Sequence, residues 1–158
     1  MSPRAAARLE QLGFAEVYDY EGGKMDWLDH ELPAEGEGGP LVSDAYDRDV
    51  PTCAPEDPIG RVRELLTEGW AWAVVVNSDG VVLGRLRRSR LGEDLDALAG
   101  DLMELGPSTY RPSVPLAELV PKMKSGGFER ALVTDPDGRL CGLLNRAAAE
   151  AALNGYQK

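Results

Sequence analysis

Arg85, Arg87, Arg88 and Arg90 crowd a short stretch of a 158-residue chain whose formal net charge is -10. A guanidinium presents a planar fork of donors that matches phosphate and carboxylate oxygens, so this clustering points to anion recognition. The four fall where a strand is expected to pass into a helix, and free amides at a helix start would add to the field. Alternation is expected to turn Arg85 away from Arg87, while Arg87 and Arg90 converge as the helix begins, with Thr52 as a helper. The competing reading is that these forks pair with the chain's own carboxylates or lie on a solvated face.

No other residues form a stronger chemical constellation. His30 is the sole histidine and has no neighbouring ligand set. Cys53 and Cys141 stand alone in hydrophobic, strand-like surroundings without C-x-x-C spacing, and read as buried or half-buried thiols. Asp94, Asp96 and Asp101 are explained by helix-start electrostatics and solvation. There is no Walker sequence, nucleophile elbow or paired-cysteine metal pattern. The chain therefore reads as non-enzymatic, with no required cofactor.

An apolar fraction of 43% and a charged fraction of 28% are ordinary for a globular protein of one domain or two small modules. The acidic balance opposes binding to nucleic acid or to an anionic membrane. Apolar runs are too short to span a bilayer and no secretory leader opens the chain, so a cytoplasmic location is expected.

The elements that must position the arginines occur twice. Val74 to Leu91, VVVNSDGVVLGRLRRSRL, and Leu132 to Ala149, LVTDPDGRLCGLLNRAAA, share the order strand, Asx-Gly turn, strand, helix start. Gly80, Gly84 and Leu86 align with Gly138, Gly142 and Leu144. Upstream, Thr52, Pro55, Pro58, Ile59, Val62 and Leu66 face Thr109, Pro112, Pro115, Leu116, Leu119 and Met123, with one residue of length difference between the two sets. Agreement over a whole supersecondary unit predicts an internal duplication. Ile59, Val62, Leu65 and Leu66 fall at helical spacing, as do Leu116, Leu119, Val120 and Met123. A further helix is expected around Leu91 to Leu105, with leucines at 91, 95, 98, 102 and 105 on one face and Gly100 weakening its middle. Asn145 to Leu153 is expected as an alanine-rich final helix.

Ahead of the duplication, Ser2-Pro3 is expected to cap a helix that Gly13 stops, Phe14 to Tyr18 to alternate as a short strand, and KMDWLDHEL to supply another helix. The glycines, prolines and glutamates of PAEGEGGP form a linker. The pattern AAARLEQLGF, VYDY, GGKMDWL, LPAEG resembles the C-terminal part of a rhodanese domain. The thiolate loop that such a domain needs would lie before Met1, so the resemblance implies no sulfurtransferase chemistry and leaves a vestigial one as a remote alternative.

The duplicated part, VPTCAPEDPIGRVRELL through RALVTDPDGRLCGLLNRAAA, resembles a tandem pair of CBS domains, or Bateman module. The hallmarks stand in both copies: an extended Thr-x-x-Pro, a helix, a hydrophobic strand ending in Asp/Asn-x-x-Gly, and a Gly-hydrophobic-hydrophobic strand. The resemblance implies an α+β fold of two β-α-β-β-α repeats about a pseudo-two-fold, with a short α/β N-terminal extension. The expected division is a fragment at 1–38, a linker at 39–47, repeat one at 48–105 and repeat two at 106–154. It also implies a regulatory or interaction module, a homodimer, a protein partner, and AMP, ADP, ATP or S-adenosylmethionine as ligand. The alternative is a purely structural dimerisation module.

In ligand-binding members a hydroxyl residue, two variable residues and an Asp follow the Gly-hydrophobic-hydrophobic segment, reaching phosphate and ribose respectively. Here Arg87 and Asn145 replace the hydroxyl residues, while Arg90 and Ala148 replace the ribose-reading acids. A donor fork or a methyl cannot replace a two-oxygen acceptor, which argues against ordinary adenosine recognition. The candidate ligand contacts are Thr52, Ala71, Arg87, Arg90, Thr109, Arg130 and Asn145. Arg111 is a weaker candidate, and Trp70 and Phe128 would border a base pocket, although core packing is the commoner role of such a tryptophan.

Overall fold

The structure, a computed structural model, describes residues 8–18, 21–32, 39–67 and 69–156. The expected cap at Ser2-Pro3 and most of the 33–40 linker lie outside the described residues. Residues 8–11 are helical and Gly13, at φ +95°, ends them. Phe14 to Tyr18 does not form the expected strand: it finds no partner among the described residues, and both aromatic rings are exposed. Helix α1, Gly23–Asp29, follows where KMDWLDHEL predicts it.

Two matching units come next. After β1 (Tyr46–Asp47), which joins the sheet of the second unit, the first unit runs through β2 (Thr52–Cys53), helix α2 (Ile59–Leu65), β3 (Trp72–Val76) and β4 (Val82–Arg87). A 3-10 turn at Arg88–Arg90, the short helix α3 (Ala99–Leu102) and β5 (Glu104–Leu105) complete the first. The second has β6 (Thr109–Tyr110), α4 (Leu116–Ser125), β7 (Arg130–Thr134), β8 (Leu140–Asn145) and α5 (Arg146–Tyr156). The sheets run β2-β3-β4-β5 and β6-β7-β8-β1. Each begins with a parallel pair, continues antiparallel, and shifts register at matched points, Val75/Val76 and Val133/Thr134.

The hairpins form because their turn residues satisfy the backbone locally. Asn77 Oδ1 accepts from the amides of Asp79 (3.0 Å) and Val81 (2.9 Å), and Gly80 adopts φ +79°. In repeat two Asp135 Oδ1 accepts from the Arg139 amide (2.8 Å) and Gly138 adopts φ +82°. The two turns then meet: Val82 N–H donates to Gly138 O (3.0 Å) and Leu140 N–H to Gly80 O (2.9 Å). This reciprocal exchange marks the pseudo-two-fold.

Each repeat is finished by the segment that precedes the other in the chain. Neither Pro58 nor Pro115 caps its helix with a side chain, so carbonyls from elsewhere receive the first amides. Ile59 N–H donates to Ala97 O and Leu116 N–H to Pro40 O, both at 2.9 Å. Ala99 N–H donates to Asp57 O, and its counterpart Val42 N–H to Val114 O, again at 2.9 Å. Strand β5 joins β4, placing Glu104 opposite Arg85, while β1 joins β8, placing Asp47 opposite Leu143. The stretch 39–47, expected as linker, thus supplies an edge strand and a helix cap to repeat two.

The helix expected over Leu91 to Leu105 is corrected by the same geometry. Only Ala99–Leu102 is helical. Asp94 Oδ1 turns the chain by accepting from the Asp96 amide (3.1 Å), Leu98 is extended, and Gly100 presses on Pro55. The five leucines do not share a face: Leu91 and Leu102 pack on repeat one, while Leu95, Leu98 and Leu105 are exposed.

Ile59, Val62, Leu66 and Leu86 centre the core of repeat one, and Leu116, Leu119, Met123 and Leu144 that of repeat two. Full burial of such a side chain stabilises by about 1.5–3 kcal/mol. Ala149 lets α5 approach α4 closely. A third cluster, built on Val50, Val74, Leu132 and Leu143, joins the repeats.

Candidate functional site

The joining cluster is symmetric at its centre and not at its ends. Val74 matches Leu132 and Val82 matches Leu140, and all four are in it. On one side Val50, Trp70, Trp72 and Leu143 extend the apolar packing. Their counterparts by repeat alignment are Pro107, Phe128, Arg130 and Arg85. Those four line an open cleft of about 350 Å³, together with Glu104, Ser108 and Tyr110. The Tyr110 and Phe128 rings lie 6.3 Å apart between centroids and 16° from parallel. Arg130 donates from Nη2 to Gly69 O (3.2 Å) and its guanidinium lies 5.5 Å from the Trp70 ring centroid. The cleft thus offers an aromatic wall, a hydroxyl and two cations, in a volume suited to a small ligand.

Arg85, Arg87 and Arg90 converge on one carboxylate, that of Glu104. Arg85 Nε lies 2.9 Å from Oε2, Arg87 Nε 3.1 Å from Oε1, and Arg90 Nε 3.3 Å from Oε1. The bond from Arg85, then that from Arg87, holds the Glu104 carboxyl below its ordinary pKa. Arg87 and Arg90 do converge, but Arg85 joins them instead of turning away, and all three pair with a carboxylate of the chain itself, as the competing reading expects. Side chains two apart on a strand share a face, so β4 places Arg85 and Arg87 together.

The other sequence-derived candidates are scattered. Thr52 lines a separate groove of about 580 Å³ with Cys53, Asp57, Arg61 and Asn77, none of the three converging arginines among them. Ala71 is exposed, and its carbonyl accepts from the Arg88 amide (2.8 Å). Thr109 is exposed on β6 beside the cleft residues Ser108 and Tyr110. Asn145 pairs with Arg130 across β7 and β8, and both line a hollow of about 240 Å³ with Arg146 and Glu150. Arg111 is tied to Thr134 Oγ1 (2.8 Å) and to the carbonyls of Thr134 and Asp135. Trp70 and Trp72 pack between the repeats.

Sequence reasoning missed Glu104, Ser108 and Tyr110, because two-residue strands carry no periodic signal. Aligning Glu104 with Asp47 across the repeats could have flagged it. Burial pushes the thiols of Cys53 and Cys141 up to about 11, and both cysteines are free. His30 Nδ1 lies 2.9 Å from the Asp26 carbonyl oxygen, which raises its pKa. Among the described residues no group of three His, Cys, Asp or Glu could hold a metal, and no helix is long and apolar enough to cross a membrane.

The N-terminal extension is anchored to repeat two. Glu31, at φ +54°, accepts from Tyr46 Oη (2.6 Å) and twice from Arg48 Nη2 (2.8 and 3.0 Å). Asp29 Oδ1 accepts from the Ser113 amide at 3.2 Å. Burial, followed by the Glu31 contact, raises the Tyr46 hydroxyl above its ordinary pKa.

With two aligned β-α-β-β units facing each other across a pseudo-two-fold, the architecture is that of a Bateman module. The family model described as the CBS domain matches residues 42–91 and again 99–152, and the chain belongs to that family, with two copies in tandem. The matches begin at Val42 and Ala99, the residues that open the two exchanged segments. The structure of CBSX2, a CBS-pair protein from Arabidopsis thaliana, is 23% identical, with a TM-score of 0.66, over 77% of this chain and 99% of that one. CBSX2 in complex with AMP is 22% identical, with a TM-score of 0.65, over 76% and 100%. The CBS domain of a bacterial CNNM/CorC family Mg2+ transporter in complex with ATP is 15% identical, with a TM-score of 0.60, over 73% and 88%. No curated protein sequence matches the chain.

Proposed function

We propose that the chain is a non-catalytic regulatory module that takes an adenine nucleotide in the open cleft between its CBS repeats. The observation that carries this reading is the asymmetry of the joining cluster. Where one side is packed with Val50, Trp70, Trp72 and Leu143, the other sets Arg85 and Arg130 beside the Tyr110–Phe128 pair around open space. A purine would stack on the aromatic wall and its phosphates would meet the guanidiniums. The structural relatives crystallised with AMP and with ATP support the ligand class. With Arg90 and Ala148 where the family's ribose-reading acids stand, stacking and phosphate contacts carry the recognition.

Of the residues singled out by sequence, Arg130 is the central contact in this reading. None of the others lines the cleft itself: Arg87 and Arg90 adjoin it through Glu104, Thr109 stands between Ser108 and Tyr110, Asn145 pairs with Arg130 on the neighbouring strand, and Thr52 and Ala71 take no part. The extension that resembles the end of a rhodanese domain serves as a latch on repeat two. Calorimetric titration with AMP, ADP, ATP and S-adenosylmethionine tests the proposal. Binding of one or more of them that is lost in Arg130→Ala and weakened in Phe128→Ala is expected, and titrations without heat in the unaltered protein would refute it.

A second reading, a homodimerisation module without ligand, is favoured by the exposed leucines Leu65, Leu95 and Leu98 of repeat one. Light scattering across a dilution series, with and without nucleotide, separates the two. A ligand-indifferent dimer that binds no nucleotide supports the second reading.

A further inference from the structure

Resting on the nucleotide reading of the cleft, we propose that Arg85, Arg87 and Arg90 form the seat of a triphosphate chain, and that Glu104 is a tethered anion holding that seat until ligand displaces it. The charge balance is the first argument. Among the described residues three guanidiniums share one carboxylate, which leaves the cluster positive within a chain of formal net charge -10. A polyphosphate carries several negative charges where Glu104 carries one.

Donor geometry is the second argument. The hydrogen bonds from Arg85 and Arg87 to Glu104 both leave from Nε, and Arg90 also approaches through Nε. The terminal nitrogens, which form the outer prongs of each fork, make no hydrogen bond to another described residue in these three arginines. Phosphate oxygens are suited to them. The side chains are also reachable from solvent, at 35% exposure for Arg85, 48% for Arg87 and 61% for Arg90.

Position is the third. Arg85 and Glu104 form part of the wall of the cleft that holds Arg130, Tyr110 and Phe128, and Arg87 and Arg90 adjoin that wall through the Glu104 carboxylate, so a phosphate tail leaving a stacked base meets Arg85 first and the other two where Glu104 now sits. Glu104 lies on β5, a two-residue edge strand whose neighbour Leu105 is exposed, so its side chain can swing away without opening the core. Exposed ion pairs of this kind are weak and readily exchanged. The aligned acid Asp47 has no such role: it stands opposite Leu143 and its Oδ1 accepts from the Asp49 amide at 2.9 Å. The tethered anion is therefore a feature of one repeat alone.

A triphosphate chain can come from a nucleoside triphosphate or from inorganic tripolyphosphate, and titration of the whole chain with ATP, AMP and tripolyphosphate distinguishes them. Glu104→Gln removes the competing charge in a nearly isosteric side chain. It is expected to tighten ATP and tripolyphosphate by roughly three- to tenfold while leaving AMP unchanged. Arg87→Ala with Arg90→Ala is expected to abolish tripolyphosphate binding and weaken ATP, with thermal unfolding of each variant confirming that it is folded. Unchanged or weaker binding of both triphosphates to a folded Glu104→Gln variant overturns the proposal, as does an absence of binding in every variant. Should ATP depend on Phe128 and Arg130 but ignore Glu104→Gln, the seat is wrong and the nucleotide reading stands. Should tripolyphosphate respond as expected while Phe128→Ala leaves ATP untouched, the seat stands and the base-binding reading fails.

Discussion

The two sides of the joint between the repeats have the same backbone and opposite contents. On one, Val50 and Leu143 are buried and the half-buried Trp70 and Trp72 pack against them; on the other, Phe128, Arg130, Pro107 and Arg85 line an open cleft. A duplicated fold supplies two equivalent clefts, and single replacements at aligned positions decide which is core and which is available. Trp72 against Arg130 is the sharpest of these contrasts. A tryptophan stabilises by burying area, whereas Arg130 keeps its head at the cleft surface, tied by one bond to Gly69 O and lying over the Trp70 ring, with donors left over. The same division separates Leu143, opposite Asp47, from Arg85, opposite Glu104.

Substitutions on the packed side have the largest expected effect. Trp72→Arg puts a charge against the joining cluster and removes a half-buried indole packed on it, and should destabilise the fold by about 3 kcal/mol in chemical denaturation. Next comes the glycine pair that admits the exchanged strands. A Cβ on Gly142 would overlap the Asp47 carbonyl and the Tyr46 ring, and one on Gly84 would lie 2.7 Å from Glu104 O. Gly142→Ala should cost about 2 kcal/mol and Gly84→Ala somewhat less, because the clash at Gly84 partly involves the flexible Met103 side chain. Equal or negligible losses would contradict the exchange of edge strands.

Filling the open side is a gentler change. Arg130→Trp should alter stability by less than about 1 kcal/mol, since the half-open cleft has room for the ring. A loss as large as that of Trp72→Arg would mean that Arg130 is structural. Removing the latch with Glu31→Gln should reduce stability by at most about 1 kcal/mol, because Arg48 is 68% exposed. The acid side of the stability profile offers the smallest signal. The Glu104 carboxyl is held low by its arginines, so its contribution is present above the ordinary carboxylate range and lost as pH falls through the depressed value. Glu104→Gln should flatten that part of the profile, as followed by thermal unfolding from pH 6 downward.

The duplication was legible in the sequence because Asx-Gly turns, paired glycines and helical stripes are local signals. Gly80 and Gly138 both take the positive φ that their turns require. What was not legible depends on contacts distant in the chain. Five leucines from Leu91 to Leu105 have helical spacing, yet Ala97 is held by the Ile59 amide and Ala99 by Asp57, which draws the backbone out of a helix. Phe14 to Tyr18 alternates like a strand but has no described neighbour to pair with. The arginine cluster was visible, while its partner Glu104 was not, because only the exchange of edge strands brings β5 against β4. The open cleft was equally hidden: its meaning lies in Arg130 standing where the other repeat has Trp72.

The most direct test of the account is a titration of isotope-labelled protein with ATP followed by amide NMR shifts. Changes gathered on Arg85, Ser108, Tyr110 and Phe128 to Ala131, saturating at one ligand per chain, are the predicted result. Changes gathered instead on Val50 and Trp70 to Ala73, or equal changes on both sides, would contradict the claim that the repeats have kept one cleft and filled the other.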